Sequence, residues 1–232
     1  MNDRTFRRIT VTLPGLDDGY LSNLSSLDNP RGLVQEFRYA DNDLRALELA
    51  GATLSSGRIS ALRAERVRLE QVRAESVEFE GCDLGSTHWS DSKLSRVVFR
   101  DCKLMGATLT GLTLDNVLFE GCKLDFATFA QVRASGPVAF SKCTFTETTF
   151  TGCDLNRAVL DACTLHRTEF ERGLYREVDL RGNDLSELRG VGNLAKVVID
   201  RGQETELARA LVTELEAVFG DDLDDSDAGR PR

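Results

Sequence analysis

Histidine, methionine and tryptophan are nearly absent, with two, two and one among 232 residues. That leaves little material for a histidine-based metal centre. No apolar run reaches the roughly 18–20 residues of a membrane helix. The start, Met-Asn-Asp-Arg-Thr-Phe-Arg-Arg, lacks the apolar segment of a signal peptide behind it. Positive charge is not in excess: the net charge is -9 and the pI is near 4.9. That argues against direct nucleic-acid binding through a basic footprint. None of the six cysteines falls in a CxxC pair. Without an export signal they read as reduced thiols of a cytoplasmic protein.

What the chain has is a repeat. Glu80-Gly81-Cys82-Asp83-Leu84, Arg100-Asp101-Cys102-Lys103-Leu104 and Glu120-Gly121-Cys122-Lys123-Leu124 line up 20 residues apart, each behind a phenylalanine (Phe79, Phe99, Phe119). Inside that period is one of 5, with a large apolar residue at each centre and a small one two positions earlier. Centres run in steps of five from Tyr39 to Ala134, slip by one residue, and resume from Phe140 to Leu185. Of these 30 centres, 15 are Leu and 8 are Phe, against 12 Phe in the whole chain, which is far above chance. The slip falls at Ala134-Ser135-Gly136-Pro137-Val138, where Gly and Pro can absorb an extra residue.

Period 5 suits neither a helix at 3.6 nor a strand at 2. Four fives make a four-sided coil in which every fourth unit stacks on the first. Ala52-Thr53-Leu54, Cys82-Asp83-Leu84, Cys153-Asp154-Leu155 and Asn183-Asp184-Leu185 carry a small residue, a mostly polar one, then Leu. In these the sequence resembles the pentapeptide-repeat family over residues 37–188. The resemblance implies an all-β fold: a right-handed quadrilateral β-helix of about 7.5 coils, roughly 36 Å long at strand spacing. Residues 1–36 read as an N-terminal strand and loop cap, with residues 5–13 a strand over the first coil. Residues 189–220 read as a strand at 196–200 and a helix from about 203 to 219, opened by an Asp200/Gln203 capping box and stopped by Gly220. Residues 221–232 read as an acidic disordered tail.

Stacking by 20 puts Cys82, Cys102, Cys122, Cys143 and Cys163 in one inward column, best read as small buried thiols. His88 and His166 fall on different faces. Gly190-Val191-Gly192-Asn193-Leu194-Ala195 fits G-x-G-x-x-A but lacks the strand before and helix after that a nucleotide fold needs. Glu78 and Glu80 flank a centre on a convex surface with no cleft to tune them. The reading is therefore a non-enzyme with no cofactor and no metal.

Outward residues suggest three contact regions. Glu78, Glu80, Asp101, Glu120, Asp161 and Asp179 form a candidate acidic partner-binding face. Val98, Leu118, Ala139 and Val159 form an apolar stripe, to be covered either by a partner or by the chain's own ends. Leu207, Leu211, Leu215 and Val218 line one face of the expected C-terminal helix. The Thr108, Thr110, Thr128, Thr149 and Thr151 face is uncharged and commonplace. The rod and helical end resemble the actinobacterial, mycobacterial-type fluoroquinolone-resistance pentapeptide proteins. That resemblance implies a homodimer through the helix and a DNA-mimicking modulator of DNA gyrase or topoisomerase IV. The alternative is a protein-interaction scaffold with no topoisomerase role. Charge tempers mimicry: residues 37–188 hold 19 Arg and Lys against 23 Asp and Glu, where a duplex of that length carries roughly 21 negative charges.

Overall fold

In the computed structural model, residues 2–29 and 32–222 are described. The chain begins with an antiparallel hairpin of β1 (Asn2–Phe6) and β2 (Ile9–Leu13). Arg7 and Arg8 make its two-residue turn, and Arg7 takes a left-handed φ of 53°.

The rest winds as a parallel solenoid of about seven turns. β3 (Ser22–Asn23), β4 (Leu33–Ala40), β5 (Asp43–Ala50), β6 (Thr53–Ser60), β7 (Arg63–Glu70) and β8 (Arg73–Glu80) open it. β9 (His88–Ser90), β10 (Lys93–Arg100), β11 (Thr108–Thr110), β12 (Thr113–Glu120) and β13 (Thr128–Ala130) continue it. β14 (Arg133–Ala134), β15 (Val138–Ser141), β16 (Thr149–Thr151), β17 (Val159–Asp161) and β18 (Glu169–Glu171) complete it. One sheet runs β17-β15-β12-β10-β8-β6-β4-β3, with β14 also on β12, and the other runs β18-β16-β13-β11-β9-β7-β5.

Neighbours in the ladders lie 20 residues apart, as Phe99 does from Phe79 and Phe119. The slip is visible within one strand: β12 pairs Leu114 with Ala134 but Val117 with Val138. The amides of Ser135 and Gly136 both point at the Leu114 carbonyl, the two-against-one count of a bulge.

The core is the set of inward columns. Phe79, Phe99, Phe119 and Phe140 stack with centroids 4.6–4.9 Å apart. Phe129, Phe150 and Phe170 form a second stack at 4.7–5.1 Å. Each buried ring or Leu contributes about 1.5–3 kcal/mol of transfer free energy. Phe37 fills the place below which Gly57 sits, and a Cβ on Gly57 would fall inside that ring. Most corners between sides take a left-handed residue, which costs an ordinary side chain about 1–2 kcal/mol. Gly51, Gly81, Gly121 and Gly152 take it freely, while Asp41, Ala61, Asp101 and Ala162 bear the strain.

Three end expectations are corrected. Residues 5–13 are not one strand over the first coil. They belong to the hairpin, because Arg7 and Arg8 break the alternation, and the hairpin lies on the Phe-ladder face. The first coil is plugged instead by buried Leu27 and half-buried Leu24. Residues 196–200 make a single bridge, Val198 to Asp179, and no strand. The helix α1 (Glu204–Glu214) stops before residue 219, because Glu216 turns left-handed at φ 50°. The Asp200 amide does donate to Gln203 Oε1 at 2.7 Å, as the capping box requires. The tail beyond 222 lies outside the described residues.

Candidate protein-interaction surfaces

The apolar stripe is closed by the chain itself. Val98, Leu118, Ala139 and Val159 are buried together with Phe6, Val11 and Leu13 of the hairpin, and Ile9 packs at their edge. Alternation puts those hairpin side chains on one face, and the stripe offers apolar partners across four coils. The hairpin is also pinned by polar contacts. The Thr12 amide donates to Asn116 Oδ1 at 2.9 Å. Arg4 pairs with Glu120 at 2.6 Å and Arg7 with Asp161 at 3.0 Å. The stripe is therefore an internal seam and is not available to a partner.

The six carboxylates are not a free negative strip either. Glu78 is 6% exposed and sits between Arg58 at 3.0 Å and Arg100 at 3.4 Å. Arg100 reaches on to Glu120 at 3.6 Å, and Arg58 to Asp18 at 2.8 Å. The result is a chain of alternating charge from Asp18 through Arg58, Glu78, Arg100 and Glu120 to Arg4. Asp179 is buried and held by Arg181 at 2.6 Å. Burial pushes its carboxyl up, but the hydrogen bonds and charge of Arg181 outweigh that and hold it below the usual range. Among the described residues only Glu80 and Asp101 of the six make no ion pair within 4.0 Å. Arg100 and Arg181 were visible in the same columns of the sequence. Arg4 and Arg7 were not, since nothing in the period assigns them to this face.

The C-terminal helix has two different faces. Inward, Ala210 is buried and Leu207 half-buried against the last coil. Gln203 Nε2 donates to the carbonyls of Leu180 (2.9 Å) and Asn183 (2.6 Å). Glu206 accepts from the Leu185 amide at 3.0 Å and Glu214 from the Val191 amide at 2.6 Å. These side chains supply the partners that a next coil would have supplied. Outward, Leu211 of α1 is 39% exposed, and just beyond the helix Leu215 is 67%, Val218 69% and Phe219 63% exposed. The structure thus splits the four predicted helix residues: Leu207 faces the rod, and the other three face water. Phe219 was missed because it lay beyond the expected helical stripe. A groove of about 680 Å³ runs between α1 and the last coil, lined by Arg167, Glu169, Leu188 and Glu214 among others.

The cysteines are all free and buried. The Cys82, Cys102, Cys122, Cys143 and Cys163 thiols each donate to a carbonyl one coil earlier, at 3.4–3.5 Å. Burial raises Cys153 to about 11, the direction expected of an inert structural thiol. Among the described residues no cluster of His, Cys, Asp and Glu could hold a metal. His166 pairs with Glu187 on the surface at 2.5 Å. No helix among the described residues is long and apolar enough to cross a membrane.

A parallel solenoid with a five-residue inward period is the architecture of a repeat protein. Comparison with known families agrees. A pentapeptide repeat region model matches residues 72–136, and one of eight-copy pentapeptide repeats matches 140–172. The gap between them falls at the bulge. Residues 72–136 and 140–172 of the chain are thus pentapeptide repeats.

Solved structures of like fold include a trypsin-treated variant of QnrB1, a plasmid-mediated fluoroquinolone resistance protein. It is 17% identical with a TM-score of 0.46, over 81% of this chain and 92% of that one. Full-length QnrB1 gives 16% and 0.42, over 74% and 99%. HetL, involved in heterocyst differentiation regulation in the cyanobacterium Nostoc, gives 16% and 0.48, over 72% and 86%. No curated protein matches the chain.

Proposed function

We propose that this pentapeptide-repeat protein is a non-catalytic binding protein of the cytoplasm, and that two copies meet through the C-terminal end. The observation that carries the reading is the exposed set Leu211, Leu215, Val218 and Phe219. Other exposed large apolar side chains, such as Phe126 and Leu174, are scattered along the sequence, and the Val98 stripe is covered by the hairpin. Four large apolar side chains left in water together mark a contact surface. Covering each is worth about 1.5–3 kcal/mol. Leu215→Glu should then break this contact and lower the mass read by size-exclusion chromatography with light scattering, with unchanged circular dichroism.

DNA gyrase is the partner this reading names first, from the sequence resemblance and the net charge of -9. The six-carboxylate face is a poor carrier of mimicry, because arginines neutralise four of its members. A mimic built on this rod would use acidic groups outside that face. The test is gyrase supercoiling, with and without a fluoroquinolone, titrated with the purified protein. Inhibition, or protection from drug-trapped cleavage, supports the topoisomerase reading. No effect leaves the scaffold reading, which the charge-paired surface favours.

A further inference from the structure

A groove runs along the outer edge of β2, and we propose that it binds an extended acidic segment of a protein partner, taken up as a strand against that edge. Two adjoining cavities, of about 490 and 260 Å³, make the groove. Arg8, Ile9 and Thr10 form its hairpin wall, and the bulge at 135–137 with Arg157 forms the wall on the rod. Arg8, Ile9 and Arg157 belong to both cavities.

The backbone supplies half of the site. The Thr12 amide points away from β1, since it donates to Asn116 Oδ1. Strand alternation sends the amide and carbonyl of Thr10 the same way. The residues that stack on Asp115 and Asn116 are those of the bulge. Ser135 turns its hydroxyl to the Leu114 carbonyl, and Gly136 has no side chain, because a Cβ there would fall on Asp115. One coil further, Asn156 gives its Oδ1 to the Arg176 amide. Among the described residues, then, no side chain takes the Thr10 amide as Asn116 takes that of Thr12. An edge left open in this way is a template for another strand.

Charge supplies the other half and chooses the occupant. Arg8 and Arg176 are exposed and make no ion pair among the described residues, unlike Arg4 and Arg7. Arg157 has one, to the exposed Glu177 at 3.1 Å. Asp179, at the end of the groove, is already held by Arg181. The groove is left with surplus positive charge on a chain of net charge -9. Ile9 and Pro137 add apolar contact between the arginines, so a strand alternating acidic and apolar residues fits it.

This deepens the reading of the chain as a binding protein and rests on it. The test is fluorescence anisotropy of labelled Glu-Val-Glu-Val-Glu-Val on the full chain, with Lys-Val-Lys-Val-Lys-Val as control. The acidic peptide should bind with a Kd below about 1 mM, and the basic one should not bind. Arg8→Glu should weaken binding roughly 10-fold, by making a charge pair repulsive. Thr10→Pro removes the edge amide where an edge strand tolerates proline, and should weaken it roughly 5-fold. Thr10→Ala keeps the amide and should leave the affinity unchanged. No binding, equal binding of both peptides, or an affinity indifferent to Arg8→Glu and Thr10→Pro would each overturn the proposal. Binding seen only in a chain cut after Asp222 would overturn it in favour of the chain's own acidic tail as occupant. Unchanged melting temperatures verify that the variants fold. The readout uses neither gyrase nor the mass of the assembly, so its failure is distinct from failure of the topoisomerase or C-terminal reading.

Discussion

The two ends of the rod face one problem and meet it differently. A parallel ladder leaves a row of unpaired amides and carbonyls at each of its two ends. At the C-terminal end a helix lies across the last coil, and Gln203, Glu206 and Glu214 reach down to its backbone. At the N-terminal end an irregular segment drops Leu27 into the core, and Asn29 Nδ2 donates to the Leu33 carbonyl at 2.7 Å. One end is sealed by polar side chains aimed at backbone. The other is plugged by an apolar side chain, and among the described residues no strand lies beyond its β5 edge. Plugging a core and satisfying an edge are separate tasks, and the two ends divide them differently.

Four changes test this contrast. Leu27→Ala should cost most, about 3 kcal/mol, since a buried leucine is lost at a site with no further coil to close over it. Urea unfolding measures it, and a loss well under 1 kcal/mol would mean the N-terminal plug is not a seal. Gln203→Leu keeps the volume but strips the donors from the Leu180 and Asn183 carbonyls. We expect about 2 kcal/mol, with faster amide exchange confined to the last coil.

Acid should act on the C-terminal coil next. Asp179 and Asp184 are both held below the ordinary carboxylate range, Asp184 by its hydrogen bonds from Ser186. A depressed folded value means that their contribution is complete above the unfolded value, about 3.9. It drains away as pH falls through the folded ones. Thermal melts between pH 5 and about 2.5 should show Asp179→Asn with a shallower acid decline than wild type; identical slopes would remove Asp179 from the account. The smallest effect is at mid-rod, far from either end. Trp89 Nε1 is buried without an acceptor, so Trp89→Phe should be neutral or stabilising by up to about 1 kcal/mol. A clear loss there would show that indole volume matters more than the orphaned donor.

The solenoid was legible because its signal is periodic. Every fifth residue reports on the same inward column, and the bulge at Gly136 is where the count breaks. The ends were poorly legible because each is a single event. Nothing repeats in Phe6, Val11 and Leu13 to say that they match Val98 and Val159, more than 80 residues away. The acidic face was misjudged for the same reason: the columns displayed Glu120 and Asp161, but Arg4 and Arg7 came from outside the period. The helix stop at Glu216 has no glycine to announce it. The apolar outer face of the helix was readable, since Leu211 and Leu215 keep helical spacing.

The hairpin also sets a clock. Its residues leave a ribosome well before their seat exists, which is finished only when Val159 has emerged and its coil has closed. That is about 150 residues later, or roughly 7–30 s at ordinary synthesis rates. Through that interval Phe6, Val11 and Leu13 have nowhere to dock, and Arg4, Arg7 and Arg8 are the charges that keep the segment from joining other chains. A segment made early is among the last to find its place.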